Sequence, residues 1–284
     1  MQQDRLREIA AGFLGRQDAR CFVGWEDLPD GSGTRVTVVS RPARVSRLVW
    51  NRSCFANTVA LLPRLGGTKG VIGVAVKGCD ARALRELIRS GQVDRAAVHV
   101  VGVPCDGLRE RDGSLARRCH GCRYPADFEY DEVLGPMVTP DLPAHPPDDL
   151  DLGSMSREER RAFWNAEFDR CIRCEACRRI CYACFCPRCI FESTDPRWVS
   201  RRDGRPEKLF FHAVRAYHLA GRCIACDECA RVCPAGVRLD LLNRALRDGI
   251  AALFGYEGAG VSDIEPPLRD FCVDDPDPFA KGRT

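Results

Sequence analysis

The sequence predicts an α/β domain with parallel strands followed by an α-rich domain, and three observations carry that expectation. An apolar run, VIGVAV at 71–76, leads through a helical pattern into a second run, AAVHVVGV. After Gly135 the stretch GPMVTPDLPAHPPDDLDLGSM, rich in Pro and Asp, shows neither the helical nor the strand period. Beyond it one cysteine pattern occurs twice, CIRCEACRRIC at 171–181 and CIACDECARVCP at 223–234. Domains are therefore expected at 1–135 and 156–255, with a linker at 136–155 and a tail at 256–284.

Within the first domain, VIGVAV has the length and composition of a buried strand. The following ARALRELIR places Leu84, Leu87 and Ile88 on one helical face, with Asp80 as the expected N-cap and Gly91 closing the helix. AAVHVVGV supplies the second strand. Two strands joined through a helix run parallel, so their C-terminal ends share one sheet edge, the edge that carries Cys79 and Cys105. In the second domain, SREERRAFWNAEFDR reads as a helix capped by Ser154 or Ser156. Phe210, Phe211, Val214 and Tyr217 are expected on one apolar helical face.

Composition bounds the chemistry. The 284 residues are 45% hydrophobic and 29% charged, with a net charge of +3, so no overall electrostatic bias points to nucleic acid or to a membrane surface. Only four of the 43 basic residues are lysines. The N-terminus, MQQDRLREIAAGFLGRQDAR, has no uninterrupted apolar stretch, and a cytoplasmic location is expected. Eighteen cysteines in such a chain are expected to serve metal rather than disulfides.

The CxxCxxCxxxC spacing brings four sulfurs towards a common point as the chain turns into a helix. Three hold one iron–sulfur cubane and the fourth reaches its neighbour, which predicts two 4Fe-4S clusters in a ferredoxin-like domain. Cys171, Cys174, Cys177 and Cys233 are expected on one cluster, and Cys223, Cys226, Cys229 and Cys181 on the other. Pro234 follows the ferredoxin habit, whereas Tyr182 after Cys181 departs from it. Zinc is the competing reading, but zinc sites favour paired CxxC units with a longer gap. The chain continues YACFCPRC, and Cys184, Cys186 and Cys189 are candidates for a further metal, for the fourth ligand in place of Cys181, or for unligated thiols near a cluster. His212, His218 or Cys272 would complete a tetrahedral site with them.

In the first domain Cys79 and Cys105 are joined by Cys119 and Cys122 of CHGC, so four thiols can converge on the sheet edge where α/β proteins bind ligands. A third 4Fe-4S cluster is expected there, with Cys54 as a substitute ligand. Cys79 is expected just before a helix start, whose positive end favours a thiolate or an anionic cluster. Cys21 and Cys272 stand alone.

The segments VKGCDARALRELI, VGVPC and CHGCRYPADFEYDEVLG, followed by the repeated cysteine motif, resemble the beta subunits of deazaflavin-reducing hydrogenases and related formate dehydrogenases. They are similar also to iron–sulfur subunits that accompany heterodisulfide-reductase-type complexes. The resemblance spans roughly residues 45 to 240. It implies a subunit passing electrons between a partner enzyme and a carrier, and it allows a flavin such as FAD, although no GxGxxG follows a strand here. Two rival functions differ from that relay: a flavin-containing reductase of a diffusible carrier, and a zinc-stabilised nucleic-acid-binding module using arginines such as those of PRWVSRRDGRPEK.

Overall fold

The computed structural model describes residues 2–66, 69–125, 127–144, 150–200, 202–261 and 263–267. Cys272 lies outside them. The chain forms two compact units, one made of Met1–Pro147 with Gly260–Ser262 and the other of Asp148–Ala259 with Asp263–Thr284.

Unit 1 begins with α1 (Gln2–Leu14) and the strands β1 (Ala19–Asp27) and β2 (Thr34–Val39). The short α2 (Leu62–Leu65) precedes β3 (Val71–Val76), α3 (Gly78–Arg89), β4 (Val98–Gly102) and β5 (Glu132–Val133). The sheet order is β2-β1-β3-β4-β5. β1, β3, β4 and β5 run parallel and only β2 is antiparallel, as the hairpin partner of β1. The expected parallel sheet thus gains an antiparallel edge, because a short connection through Gly31 and Gly33 can only return the chain beside its own strand. β3 is buried along nearly all its length, which is why its sequence is continuously apolar rather than alternating. Leu6, Ile9, Ala10 and Phe13 of α1 form one stripe that packs with Phe22 and Trp25 of β1, Val39 of β2, Ala75 and Val101.

α3 starts earlier than the sequence suggests. Lys77 is its N-cap, and Asp80 sits in the first turn, where its carboxylate accepts the Lys77 N–H at 3.2 Å and meets the Lys77 ammonium at 2.7 Å. Asp80 closes the helix start from inside, and Cys79 is within the helix rather than ahead of it. Gly91, at φ +65°, supplies the left-handed residue after the C-cap. Nine of the twelve residues of α3 are buried, Arg82, Arg85 and Glu86 among them. Part of that cover is the returning segment: Gly260 N–H donates to Glu86 Oε1 at 2.8 Å, and Arg85 donates to the Val261 carbonyl at 3.5 Å.

Unit 2 contains α4 (Arg157–Asp169), α5 (Ala176–Arg179), α6 (Arg205–His218), α7 (Glu228–Arg231) and α8 (Leu239–Phe254). Ser156 caps α4 in a reciprocal box with Glu159, whose side chain accepts the Ser156 N–H at 2.7 Å. The two short helices that follow the cysteine loops, α5 and α7, pack against each other, while α6 packs on α4 and α8. The expected apolar face of α6 is corrected: Phe211 is buried, but Phe210 and Tyr217 are exposed. Its buried face instead carries Lys208, Phe211, His212, Arg215 and Ala216. No helix among the described residues is long and apolar enough to cross a membrane.

Candidate metal centres

In unit 1 the parallel pairing of β3 and β4 delivers Cys79 and Cys105 to one edge of the sheet. Cys119 ends the 3-10 turn Arg117–Cys119, and Cys122 follows it. The charge of Cys79 acts on Cys105, Cys119 and Cys122, and that of Cys119 on Cys105 and Cys122. Burial first, then Cys79, pushes the Cys105 and Cys122 thiols up to about 12. Cys119 is pushed up by burial as well, and three buried thiols that resist ionisation beside a fourth cysteine are a donor set that a polycationic metal centre would discharge.

Several neighbouring groups act against that burial and favour negative charge on the sulfurs. Cys79 stands in the first turn of a twelve-residue helix. Arg118 Nη2 lies 3.9 Å from Cys79 Sγ, and the Leu108 N–H donates to Cys119 Sγ at 3.2 Å. Lys77 is fully buried between Asp80 and the Trp25 ring, 4.3 Å from the ring centroid. Burial pulls Lys77 down, yet Asp80 and Cys79 outweigh it and hold the ammonium above the usual lysine value.

Cys105 itself is held by Tyr124. The phenol accepts the Cys105 N–H at 2.9 Å and donates to the Cys105 carbonyl at 2.8 Å. Its ring lies over Gly78, where no Cβ would fit. Beside Cys105 opens a cleft of about 660 Å³ whose lining includes Gln3, Trp50, Arg52, Asp106 and Pro140. Cys54 is a core thiol instead, buried with Trp25 and Leu48, and burial pushes it up to about 11. Cys21 is likewise buried in β1.

In unit 2 the two cysteine loops share one backbone geometry. Arg173 and Glu175 in the first adopt φ of 50° and 59°, and Ala225 and Asp227 in the second adopt 55° and 54°. These are the same offsets from Cys171 and Cys223. Left-handed residues alternating with ordinary ones turn successive N–H groups inward and make an anion-binding concavity, an arrangement common at iron–sulfur sites. The Arg173 N–H donates to Cys171 Sγ at 3.3 Å and the Ala225 N–H to Cys223 Sγ at 3.4 Å. Each of the four non-glycine residues costs on the order of 1–2 kcal/mol there, so the loops hold this shape against their local preference.

Cys171, Cys174, Cys177 and Cys233 act electrostatically on one another. Cys181, Cys223 and Cys229 form a second such neighbourhood, and Cys226 lies on the loop between the last two. Burial pushes Cys177 and Cys223 up to about 11. Cys184 contacts Cys181, and that hydrogen bond draws it down to about 7. Cys186 is exposed, and the charge of Cys189 acts on Arg178. Among the described residues no three Cys, His, Asp or Glu side chains gather tightly enough to hold a single metal ion.

Three side chains reach the cysteine loops from the helices: His212, expected from the sequence beside Cys184, Cys186 and Cys189 but found beside Cys171, and Arg215 and Asn243, which the sequence does not single out. His212 Nε2 lies 3.2 Å from Cys171 Sγ, its ring stacked on Phe168 with centroids 5.0 Å apart. Burial, helped by Arg215, pushes His212 down to about 4, so the imidazole is neutral at physiological pH. Arg215 Nη2 donates to the Cys177 carbonyl at 2.9 Å, and Asn243 Nδ2 donates to Cys229 Sγ at 3.4 Å. The sequence signal for the first two was basic residues recurring with Phe211 and Ala216 on one face of α6, Lys208 among them.

No protein-family model matches the chain. It is 32% identical over 115 residues to the F420-dependent formate dehydrogenase subunit beta of Methanocaldococcus jannaschii, a match covering 40% of this chain and 28% of that protein. It is 31% identical over 104 residues to the F420-dependent formate dehydrogenase 1 subunit beta of Methanococcus maripaludis, covering 37% of this chain and 26% of the relative. The chain thus spans little more than a quarter of the curated relatives it matches. It is similar, over 104 to 115 residues, to beta subunits of F420-dependent formate dehydrogenases, in line with the resemblance read from its sequence.

Proposed function

We propose that the chain is an iron–sulfur electron-transfer subunit of a larger cytoplasmic oxidoreductase complex of hydrogenase, dehydrogenase or heterodisulfide-reductase type. In this reading Cys171, Cys174, Cys177 and Cys233 hold one 4Fe-4S cluster, and Cys181, Cys223, Cys226 and Cys229 hold a second. Cys79, Cys105, Cys119 and Cys122 hold a third. The clusters would supply one-electron carriage, while the protein's own groups fix the sulfurs and neutralise their charge. No acid, base or nucleophile is required of the chain, and neither nucleic acid nor membrane insertion enters its role.

The observation that carries the reading is the repeated left-handed backbone at Arg173 and Glu175 and at Ala225 and Asp227. Packing alone gives no reason to strain two separate loops in the same way, whereas a buried anion at each loop does. Cys184 is placed beside Cys181 as a neighbouring thiol, and Cys186 and Cys189 have no ligand role in this assignment.

A second reading, in which the chain also binds FAD or a diffusible carrier, draws on the cleft beside Cys105. Its volume of about 660 Å³ falls within the range of small-molecule sites, and Trp50 offers a flat apolar wall. Iron, acid-labile sulfide, zinc and flavin per chain, measured on anaerobically purified protein, test both readings. About twelve irons are expected from three clusters. About eight would remove the cluster from unit 1, stoichiometric flavin would promote the second reading, and zinc without iron would sink the electron-transfer proposal.

A further inference from the structure

α6 carries three buried basic groups, Lys208, His212 and Arg215; the charge of Lys208 acts on Cys171, and the other two differ in reach. His212 contacts one cysteine, Cys171. Arg215, buried at 5% exposure, donates to the Cys177 carbonyl, and its charge acts on Cys181, Cys184, Cys229 and Cys177. Cys177 belongs to one four-cysteine group and Cys181 and Cys229 to the other, while Cys184 lies beside Cys181. No buried carboxylate is needed to explain this arginine, since the sulfurs themselves are its counter-charges. Its Nε is buried without a hydrogen-bond partner among the protein's own groups, a vacant donor within the cysteine-lined core. On the far side Asn243, from α8, donates to Cys229.

We propose that Arg215 is a positioning cation shared by two metal centres, raising the reduction potential of both, while His212 and Asn243 each raise one. The inference rests on the two clusters proposed for unit 2. An electron added at either cysteine group increases the negative charge that the guanidinium faces, so the cation favours the reduced state of each. A neutral imidazole or amide N–H pointed at a cysteine sulfur does the same over a shorter range.

The test is a mediated dithionite titration of the purified full chain, followed by electron paramagnetic resonance, with iron counted for every variant. Arg215→Gln is expected to lower both midpoints by at least a tenfold change in each one-electron equilibrium, which is 59 mV. His212→Phe, which keeps the stack on Phe168, lowers one midpoint, and Asn243→Leu lowers the other. If Arg215→Gln loses iron, Arg215→Lys carries the test: it retains the charge on a shorter reach, and both midpoints fall by less. Full iron with unmoved midpoints in these Arg215 variants, or a shift of one midpoint alone, overturns the proposal. So does an equal shift of both midpoints in all three positions, the mark of general loosening. A wild-type chain without the two clusters of unit 2 would instead refute the function on which the inference stands.

Discussion

Replacing Gly78 by alanine tests whether the Tyr124 ring is what fixes Cys105 at the sheet edge. Gly78 opens α3 in a conformation open to any residue, so the obstacle to a side chain is purely steric. An added Cβ would stand 2.5 Å from Tyr124 Cγ and closer still to Cδ1 and Cε1. The ring is 6% exposed and cannot swing into solvent without giving up both bonds to the Cys105 peptide and uncovering its apolar face. Overpacking of this kind costs about 1–3 kcal/mol. Two displaced hydrogen bonds add about 1 kcal/mol each.

The expected penalty is therefore about 4 kcal/mol, which for a unit of this size lowers Tm on the order of 10 °C. Thermal unfolding followed by near-ultraviolet circular dichroism reads the stability, and iron per chain reads the site. Gly78→Ala is expected to lose about four irons along with the stability. Tyr124→Phe, which removes only the hydroxyl, is expected to cost about 2 kcal/mol, from the same two bonds. Adding Tyr124→Ala to Gly78→Ala removes the clash, so the double variant must cost less than the sum of the single ones. Strict additivity, or a Gly78→Ala protein with native Tm and full iron, would refute the steric argument.

Two further outcomes follow from backbone strain and buried charge. Ala225→Gly relieves a left-handed residue and is expected to leave iron content and Tm nearly unchanged, whereas Ala225→Val puts a β-branched side chain at that φ and lowers Tm; equal behaviour of the two in thermal melts would count against the nest. Lys77→Met leaves Asp80 buried without its cation and is expected to cost about 3–5 kcal/mol by denaturant unfolding, with partial recovery when Asp80→Asn is added. A double variant no more stable than Lys77→Met would show that the pair is not the source of the loss.

Sequence patterning singles out β3 and β4 because both are central strands, and burial on two faces leaves an unbroken apolar run. β1 is equally central, yet its sequence ARCFVGWED carries charges that hide its nature. Glu26 is tolerated there because Arg35 and Arg47 each meet its carboxylate at 2.8 Å, and no local period reveals those partners. The start of α3 is misread for a related reason. Asp80 looks like an N-cap, but its carboxylate is needed by Lys77 as well as by the helix end, and that double duty moves it into the first turn.

The nearness of the cysteines within each group is legible because motif spacing is a local property, set within a dozen residues by loop length and helix start. Their supporting residues are not. His212 lies 41 residues from Cys171, Arg215 lies 38 from Cys177, and Asn243 lies 14 from Cys229, so only the packing of α6 and α8 brings them in. The left-handed positions are hidden as well, since Arg, Glu, Ala and Asp stand where a sequence would announce such a turn with glycine. Glycine there would allow many loop shapes. Residues that adopt this one at a cost, fixed by Arg173 bonds to the Ser200 and Arg202 carbonyls and by Arg244 to Asp227, hold the inward N–H groups in place and keep the sulfurs oriented.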